Sequence, residues 1–176
     1  MQTEEQNEKG IVNRVAGSSL VTLDLEQYFV PGERVVIDIK DQLFQGLILR
    51  EKDFRSFVKS TDWSDYRNKL VAIACSTDAI IPHWAYMLLT SALQPYARRI
   101  VFGTLEDLET KIFSDQLSKI EWKQFAGAKV VIKGCSKVKV PAAVYVEATN
   151  LLMPWASSIM FGEPCSTVPV FKKPRA

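Results

Sequence analysis

An internal duplication is the feature of this sequence that most restricts its fold. Residues 69–103 read KLVAIACSTDAIIPHWAYMLLTSALQPYARRIVFG, and residues 129–162 read KVVIKGCSKVKVPAAVYVEATNLLMPWASSIMFG. The two segments align with a one-residue gap in the loop after the cysteine, and this alignment pairs Cys75 with Cys135. Two copies of one supersecondary unit predict a fold built by repetition.

Each copy has the pattern strand, loop, helix, strand. The β-branched runs that end at Cys75 and Cys135 favour strands. Pro82 and Pro141 suit the first position of a helix, where the missing N–H costs nothing. The apolar residues that follow each proline predict a helix of about three turns, and RRIVFG and SSIMFG predict a second strand.

This alternation predicts an α/β fold. A further helix is predicted over residues 104–120, between the copies, so strands and helices alternate as in parallel sheets with right-handed crossovers. A duplicated βαβ pair packed about a pseudo-twofold axis predicts one parallel sheet of order 2-1-3-4, with helices on its faces. The two cysteine-bearing strands are then neighbours at its centre.

The chain divides by sequence into three parts. Residues 1–10 are polar and acidic and are predicted to form a disordered tail. Residues 11–66 are predicted to form a small mixed α/β lead-in that packs on the core, with strands at 20–25 and 34–39 and a helix at 53–60. Residues 67–176 are predicted to form the duplicated core.

Composition excludes several classes of partner. The net charge is +2 and the basic residues are scattered, so we expect no nucleic-acid partner. Residues 80–97 carry no charge but contain two prolines and several polar groups, which indicates a buried helix and no membrane partner. The start of the chain lacks the pattern of a signal peptide, and three cysteines without C-x-x-C argue against a disulfide framework. We therefore expect a cytoplasmic protein.

The cysteines and the single histidine predict a metal site. Sites in open parallel sheets form beyond the carboxyl ends of the strands, and neighbouring strands lie about 4.8 Å apart. Cys75 and Cys135 would then be close enough to share one ion, with Cys165 after the fourth strand and His83 at a helix start on the same edge. Three thiolates and an imidazole are a complete zinc set; an iron–sulfur cluster is the alternative.

A serine follows each cysteine. The hydroxyls of Ser76, Ser136 and Ser166 are predicted to support the site by hydrogen-bonding to sulfur. The third Cys-Ser pair lies outside the repeats, so common ancestry of the two copies does not explain it.

Two other functions remain open at this stage. One is a reactive or redox thiol without metal, and the other is a dimeric interaction module with core cysteines. The nearly charge-free repeat helices need cover on two sides, which predicts a twofold homodimer. Nucleotide-binding glycine motifs, H-E-x-x-H and G-x-S-x-G are absent from the sequence, so no substrate, reaction or catalytic residue is predicted.

Three stretches resemble a small bacterial family known only as a domain of unknown function. They are EKDFR at residues 51–55, IIPHWAYML at 80–88, and GEPCSTVP followed by FKK near the end. The resemblance spans nearly the whole chain. It implies no activity and no catalytic residues.

Overall fold

The computed structural model describes residues 20–134, 137–163 and 165–174. Within these ranges the chain forms seven strands and four α-helices, joined in part by short 3-10 helices. The strands are β1 (Leu20–Asp24), β2 (Arg34–Asp38), β3 (Leu70–Ala74), β4 (Arg99–Phe102), β5 (Lys129–Lys133), β6 (Ser158–Glu163) and β7 (Ser166–Lys172). The helices are α1 (Glu51–Ser60), α2 (His83–Leu93), α3 (Leu105–Leu117) and α4 (Ala142–Leu152). The predicted disordered tail at residues 1–10 lies outside the described residues.

The strands form two sheets. One has the order β2-β3-β4 and is parallel throughout. The other has the order β1-β5-β6-β7, in which β7 alone runs antiparallel to its neighbour. The predicted α/β class with parallel strands is confirmed.

The predicted single sheet of order 2-1-3-4 is wrong. The first strands of the two copies, β3 and β5, belong to different sheets. A strand from the lead-in pairs with the second edge of each of these two strands. Val35 of β2 pairs with Val71 of β3, and Val21 of β1 pairs with Val130 of β5. A parallel strand whose two edges are both hydrogen-bonded has no edge left for its copy.

The chain forms two compact units. Residues 30–112, here called the inserted unit, interrupt the outer unit, which combines the described residues up to Phe29 with those from Phe113 onward. Each unit contains one of the sheets.

Each unit has its own apolar core, built from its central strand and its repeat helix. The outer core comprises Leu23, Leu25, Phe113, Leu117, Phe125, Val130, Ile132, Val140, Val144, Ala148, Leu152, Ala156 and Ile159. The main inserted core comprises Ile37, Ile39, Leu49, Phe54, Val58, Trp63, Val71, Ile73, Ala85, Leu89 and Leu93. On the other face of β3, Leu70 and Ala72 pack with Leu108 and Ile112 of α3.

The duplication extends further towards the N-terminus than the sequence comparison indicated. Each first strand ends in an aspartate that caps a 3-10 helix: Asp24 Oδ1 accepts from the Glu26 N–H at 3.1 Å, and Asp38 Oδ1 accepts from the Lys40 N–H at 3.1 Å. A short polar side chain in this position satisfies a backbone donor that the first turn leaves unpaired. The lead-in is thus the first part of each repeat.

A tryptophan closes the helix that precedes each central strand. Trp63 Nε1 donates to the Val58 carbonyl at 2.8 Å at the end of α1. Trp122 Nε1 donates to the Leu117 carbonyl at 3.1 Å at the end of α3. In both units the indole satisfies a carbonyl that the helix end leaves without an intrahelical partner.

The fully buried residues of each repeat helix form one stripe. Ala85, Leu89 and Leu93 of α2 are fully buried, whereas Met87 is 70% exposed. Helix α2 begins at His83 with Pro82 as its N-cap, one residue later than predicted.

We expect Leu89→Ala to lower the free energy of unfolding by about 2–5 kcal/mol, because it opens a cavity in the inserted core. Met87→Ala on the same helix should change it by less than about 0.5 kcal/mol, because that side chain lies in solvent. Urea unfolding followed by circular dichroism measures both values. Equal effects would contradict the burial of a single stripe.

Candidate functional site

The register of the repeats differs by one residue from the one that the sequence suggested. Asn68 N–H donates to the Tyr96 carbonyl at 3.0 Å, and Gly127 N–H donates to the Trp155 carbonyl at 2.9 Å. Both donors have a left-handed backbone, with φ of 62° at Asn68 and 72° at Gly127. These equivalent bonds align the two copies without a gap.

The corrected register changes which residues correspond to the cysteines. Asp38 pairs with Ala74 and Asp24 pairs with Lys133 in the two sheets, so Ala74 and Lys133 are equivalent. The next residue is Cys75 in one unit and Gly134 in the other. Cys135 therefore corresponds in sequence to Ser76, and the expected symmetry between Cys75 and Cys135 is wrong.

The error has a simple origin. The strands are short runs of similar apolar residues, so an alignment shifted by one position still matches apolar residues with each other. The shifted alignment also matches Lys69, Cys75 and Ser76 with identical residues of the second copy. In a strand, the same shift moves every side chain to the opposite face. The two cores exclude the shifted alignment. Val71 packs with the repeat helix of the inserted unit, and Val130 packs in the same way with the repeat helix of the outer unit.

Cys75 lies at the carboxyl end of the central strand of the inserted unit. It is a free, half-buried thiol directly after β3. Its Sγ donates to the Thr77 carbonyl at 3.7 Å, which turns the side chain towards its own loop. This is the position at which parallel sheets commonly place functional groups.

Asp38 anchors the loop that carries Cys75. Its Oδ1 accepts from the Ser76 N–H at 3.0 Å as well as from the Lys40 N–H. Desolvation by itself raises the pKa of this carboxyl, but hydrogen bonds from Ser76 and Lys40 outweigh it and lower the pKa from 3.8 to about 2. The charged Asp38 side chain therefore connects the end of β2 to the loop that carries Cys75.

Tyr86 of α2 completes this edge. Burial raises the pKa of its hydroxyl, and electrostatic interactions with Cys75 and Asp38 raise that pKa further. Its ring meets that of Phe102 edge to face, with centroids 5.0 Å apart. His83 is exposed at the first residue of the same helix.

The corresponding edge of the outer unit is charged. Lys133 ends β5 and lies 3.3 Å from Asp24 Oδ2 and 3.8 Å from Glu163 Oε2. The hydrogen bond to Asp24 and the charge of that carboxylate raise the pKa of the Lys133 ammonium, and the charge of Glu163 adds to the effect. Cys165 is a free, exposed thiol in the turn between β6 and β7.

The glycine that replaces Cys75 in the outer unit is required by packing. A Cβ on Gly134 would lie 2.6 Å from the Tyr145 hydroxyl oxygen and 3.3 Å from a methyl group of Val140. Tyr145 corresponds to Tyr86, and its ring meets Phe161 edge to face at 5.7 Å. Tyr145 thus lies beside Gly134 in the outer unit, whereas the inserted unit has Cys75 at the position equivalent to that glycine.

The predicted ligands are divided between the two units. Cys75 and His83 belong to the inserted unit and Cys165 to the outer unit, whereas Cys135 and Ser136 lie outside the described residues. Within residues 20–134, 137–163 and 165–174, no group of three or more His, Cys, Asp or Glu side chains is placed to hold a metal ion. Ser76 contributes its N–H to Asp38, and Ser166 begins β7.

Sequence analysis missed Asp38 and Lys133 as residues of these edges. The signal was present, since TLDL at residues 22–25 and VIDI at residues 36–39 place an aspartate at the same point of two similar runs. Reading the lead-in as a separate segment hid the match.

The fold and its edges define a class: a duplicated α/β protein with two sheets, in which the carboxyl ends of the parallel strands carry different side chains in the two units. The chain belongs to the family described as protein of unknown function (DUF2480), whose model matches residues 9–173. The resemblance to an uncharacterised family is thereby confirmed. No curated protein and no solved structure matches the chain. None of the described helices combines the length and apolarity needed to cross a bilayer.

We expect Asp38→Asn to reduce the acid sensitivity of the fold. A carboxyl whose pKa is lowered by folding stabilises the folded state above its ordinary pKa of 3.8, and this contribution is lost as the pH falls towards about 2. The variant should be less stable than wild type at neutral pH and should lose less stability over that acid range. Urea unfolding at several pH values measures this, with Asp41→Asn, in the 3-10 helix that Asp38 caps, as an exposed control that should behave as wild type.

We expect Gly134→Ala to cost about 1–3 kcal/mol of unfolding free energy, because the added methyl group overlaps the Tyr145 hydroxyl. The same substitution should cost less in a Tyr145→Phe background, which removes the overlapping oxygen. A double-mutant cycle by urea unfolding isolates this coupling. Strict additivity would contradict the contact.

Proposed function

We propose that the protein is a cytoplasmic metal-binding protein whose ligands come from Cys75, His83, Cys135 and Cys165. Zinc is the first candidate because three thiolates and one imidazole satisfy its preference for four soft or borderline donors. An iron–sulfur cluster held by the same residues is the second form of this proposal.

The observation that carries the proposal is that both described thiols are free and lie at carboxyl ends of parallel strands. Cys75 follows β3, and Cys165 follows β6. Cys165 and His83 are exposed, so neither is held as an inert part of an apolar core. Free thiols near the surface persist in a reducing compartment, which supports the cytoplasmic assignment.

Sequence position adds a second argument. Cys135 comes two residues after the end of β5, which is the parallel neighbour of β6 in the outer sheet. Cys165 comes two residues after the end of β6. Each of these two cysteines thus comes shortly after the end of a parallel strand of the same sheet. This sequence position favours Cys135 and Cys165 as the first pair of ligands.

We expect the purified full chain to contain stoichiometric zinc by elemental analysis, or iron and sulfide together with a brown colour. Cys75→Ser, Cys135→Ser and Cys165→Ser should each lower the metal content, because each removes a thiolate donor. His83→Ala should lower it as well. That variant copies Ala142, the residue at the same point of the other repeat, so the helix start tolerates it.

Ser91→Ala serves as the control, since this exposed residue lies about two turns along α2 from His83 and is not a proposed ligand. A protein free of metal when prepared under reducing, metal-replete conditions would overturn the proposal. Metal that remains in all three cysteine variants would do the same.

The second candidate function is thiol chemistry at Cys75 without metal. The specific observation is the position of this residue: Cys75 is a free, half-buried thiol directly after the central strand β3, where parallel sheets commonly place functional groups. The alkylation rate of Cys75 in a metal-free Cys135→Ser/Cys165→Ser protein separates the two candidates. A rate above that of the same protein in denaturant favours thiol chemistry, and strong protection excludes it.

A further inference from the structure

One row of residues at the amino end of the outer sheet carries positive charge. Strand register places Lys129 of β5 beside Ser158 of β6, and Ser158 beside Lys172 of β7. Residues paired across neighbouring strands have their side chains on the same face of a sheet. Both lysines are exposed and Ser158 is half-buried. The row therefore presents two ammonium groups, with a hydroxyl between them, at the surface of the protein.

Acidic side chains do not neutralise this row within the part of the chain that the structure describes. Neither lysine of the row, nor the exposed Lys173 that follows it, forms an ion pair there. Residues 113–176 contain nine Lys or Arg and four Asp or Glu, although the net charge of the whole chain is only +2. Positive charge is thus concentrated in this part of the chain, and the sheet brings two of its lysines into one row.

The inserted unit shows what covers the equivalent row. In the corrected register Leu70 corresponds to Lys129, and it is 1% exposed because it packs with Leu108 of α3. Arg34 pairs with Leu70 across β2 and β3, and its Nε lies 2.5 Å from Glu109 Oε1 on the same helix. An acidic segment therefore covers this row in one unit, and one of its carboxylates pairs with a cation of the row.

We propose that the row formed by Lys129, Ser158 and Lys172 is a docking surface for an acidic segment of another protein. The two lysines are two strand spacings apart, which is about 10 Å. Their ammonium groups stand on flexible four-carbon stems, so each can reach a different carboxylate of one segment. The Ser158 hydroxyl supplies a further hydrogen-bond donor between them.

The chemistry of the row favours this partner over two others. An apolar partner surface would bury two charges without giving them a counterion, which is costly. A single-stranded nucleic acid is bound by basic grooves that also carry aromatic side chains for base stacking, and none of the three residues of the row is aromatic. Carboxylates need only the ammonium and hydroxyl groups that the row provides.

The contact is expected to be weak and strongly dependent on salt. Ion pairs between exposed side chains each contribute little to binding. The Debye length falls from about 30 Å at 0.01 M salt to about 8 Å at 0.15 M, so screening removes much of the attraction. Affinity should therefore fall about tenfold or more over this range of ionic strength.

Fluorescence anisotropy of a labelled decaglutamate peptide, titrated with the full chain at low salt, tests the proposal. Wild type should bind the peptide saturably, and Lys129→Gln/Lys172→Gln should weaken binding about fivefold or more, because it removes both ammonium groups of the row. Lys137→Gln/Lys139→Gln is the matched control. It removes the same charge from two exposed lysines of the same unit, in the loop after the opposite end of β5, and should bind within about twofold of wild type.

Carbodiimide cross-linking of the wild-type complex gives an independent readout, since it joins peptide carboxylates to the lysines beside them. Mass spectrometry should find the links at Lys129 and Lys172. Absence of saturable binding at low salt overturns the proposal, and so does an equal loss of affinity in the two double variants, because net charge alone would then attract the peptide. Links confined to other lysines overturn it even if the row variant fails to fold. Tighter binding of labelled decauridylate than of decaglutamate would assign the row to nucleic acid instead.

Discussion

The parallel pairing of β1 with β5 and of β2 with β3 organises both units of the chain. Each pairing gives backbone partners to the first strand of a repeat along an edge that the repeat itself leaves open. Buried backbone groups must be paired, so this pairing makes β3 and β5 the central parallel strands of their sheets. It also brings an aspartate from the neighbouring strand to the end of each central strand.

The two units share one backbone arrangement but present different side chains at the end of the central strand. At the end of β3 the chain presents Cys75, and Asp38 holds the following loop through the Ser76 N–H. At the end of β5 it presents Lys133, which pairs with Asp24, and then a glycine. Function resides in such positions more than in the fold that carries them. The divergence of these two edges is therefore more informative than their common ancestry.

Much of the fold was predictable because its signals are local. The β-branched runs predicted β3 and β5, and the proline-bounded apolar stretches predicted α2 and α4 to within a residue or two. The helix between the copies was also predicted. Sheet order was not, because it depends on which strands meet in space, and a strand of five apolar residues carries little information about its neighbour.

The candidate site was predictable in its residue types but not in its geometry. Thiols and a single histidine after strand ends are visible in the sequence, and Cys75 does lie at a strand end. The alignment of Cys75 with Cys135 was wrong because residue identity favoured an alignment shifted by one position. The hydrogen bonds of Asn68 and Gly127 resolve this, since a hydrogen bond has one geometry whereas an apolar run has several acceptable alignments.

The repeat, the α/β class and the residues capable of metal or thiol chemistry are visible in the amino-acid sequence, because periodicity and side-chain type are properties of neighbouring residues. Three features emerge only from the fold: the division of the described strands into two sheets, the strand that the lead-in supplies to each sheet, and the equivalence of Gly134 with Cys75. Strand pairing joins residues far apart in the chain, and one residue of register exchanges the two faces of a strand.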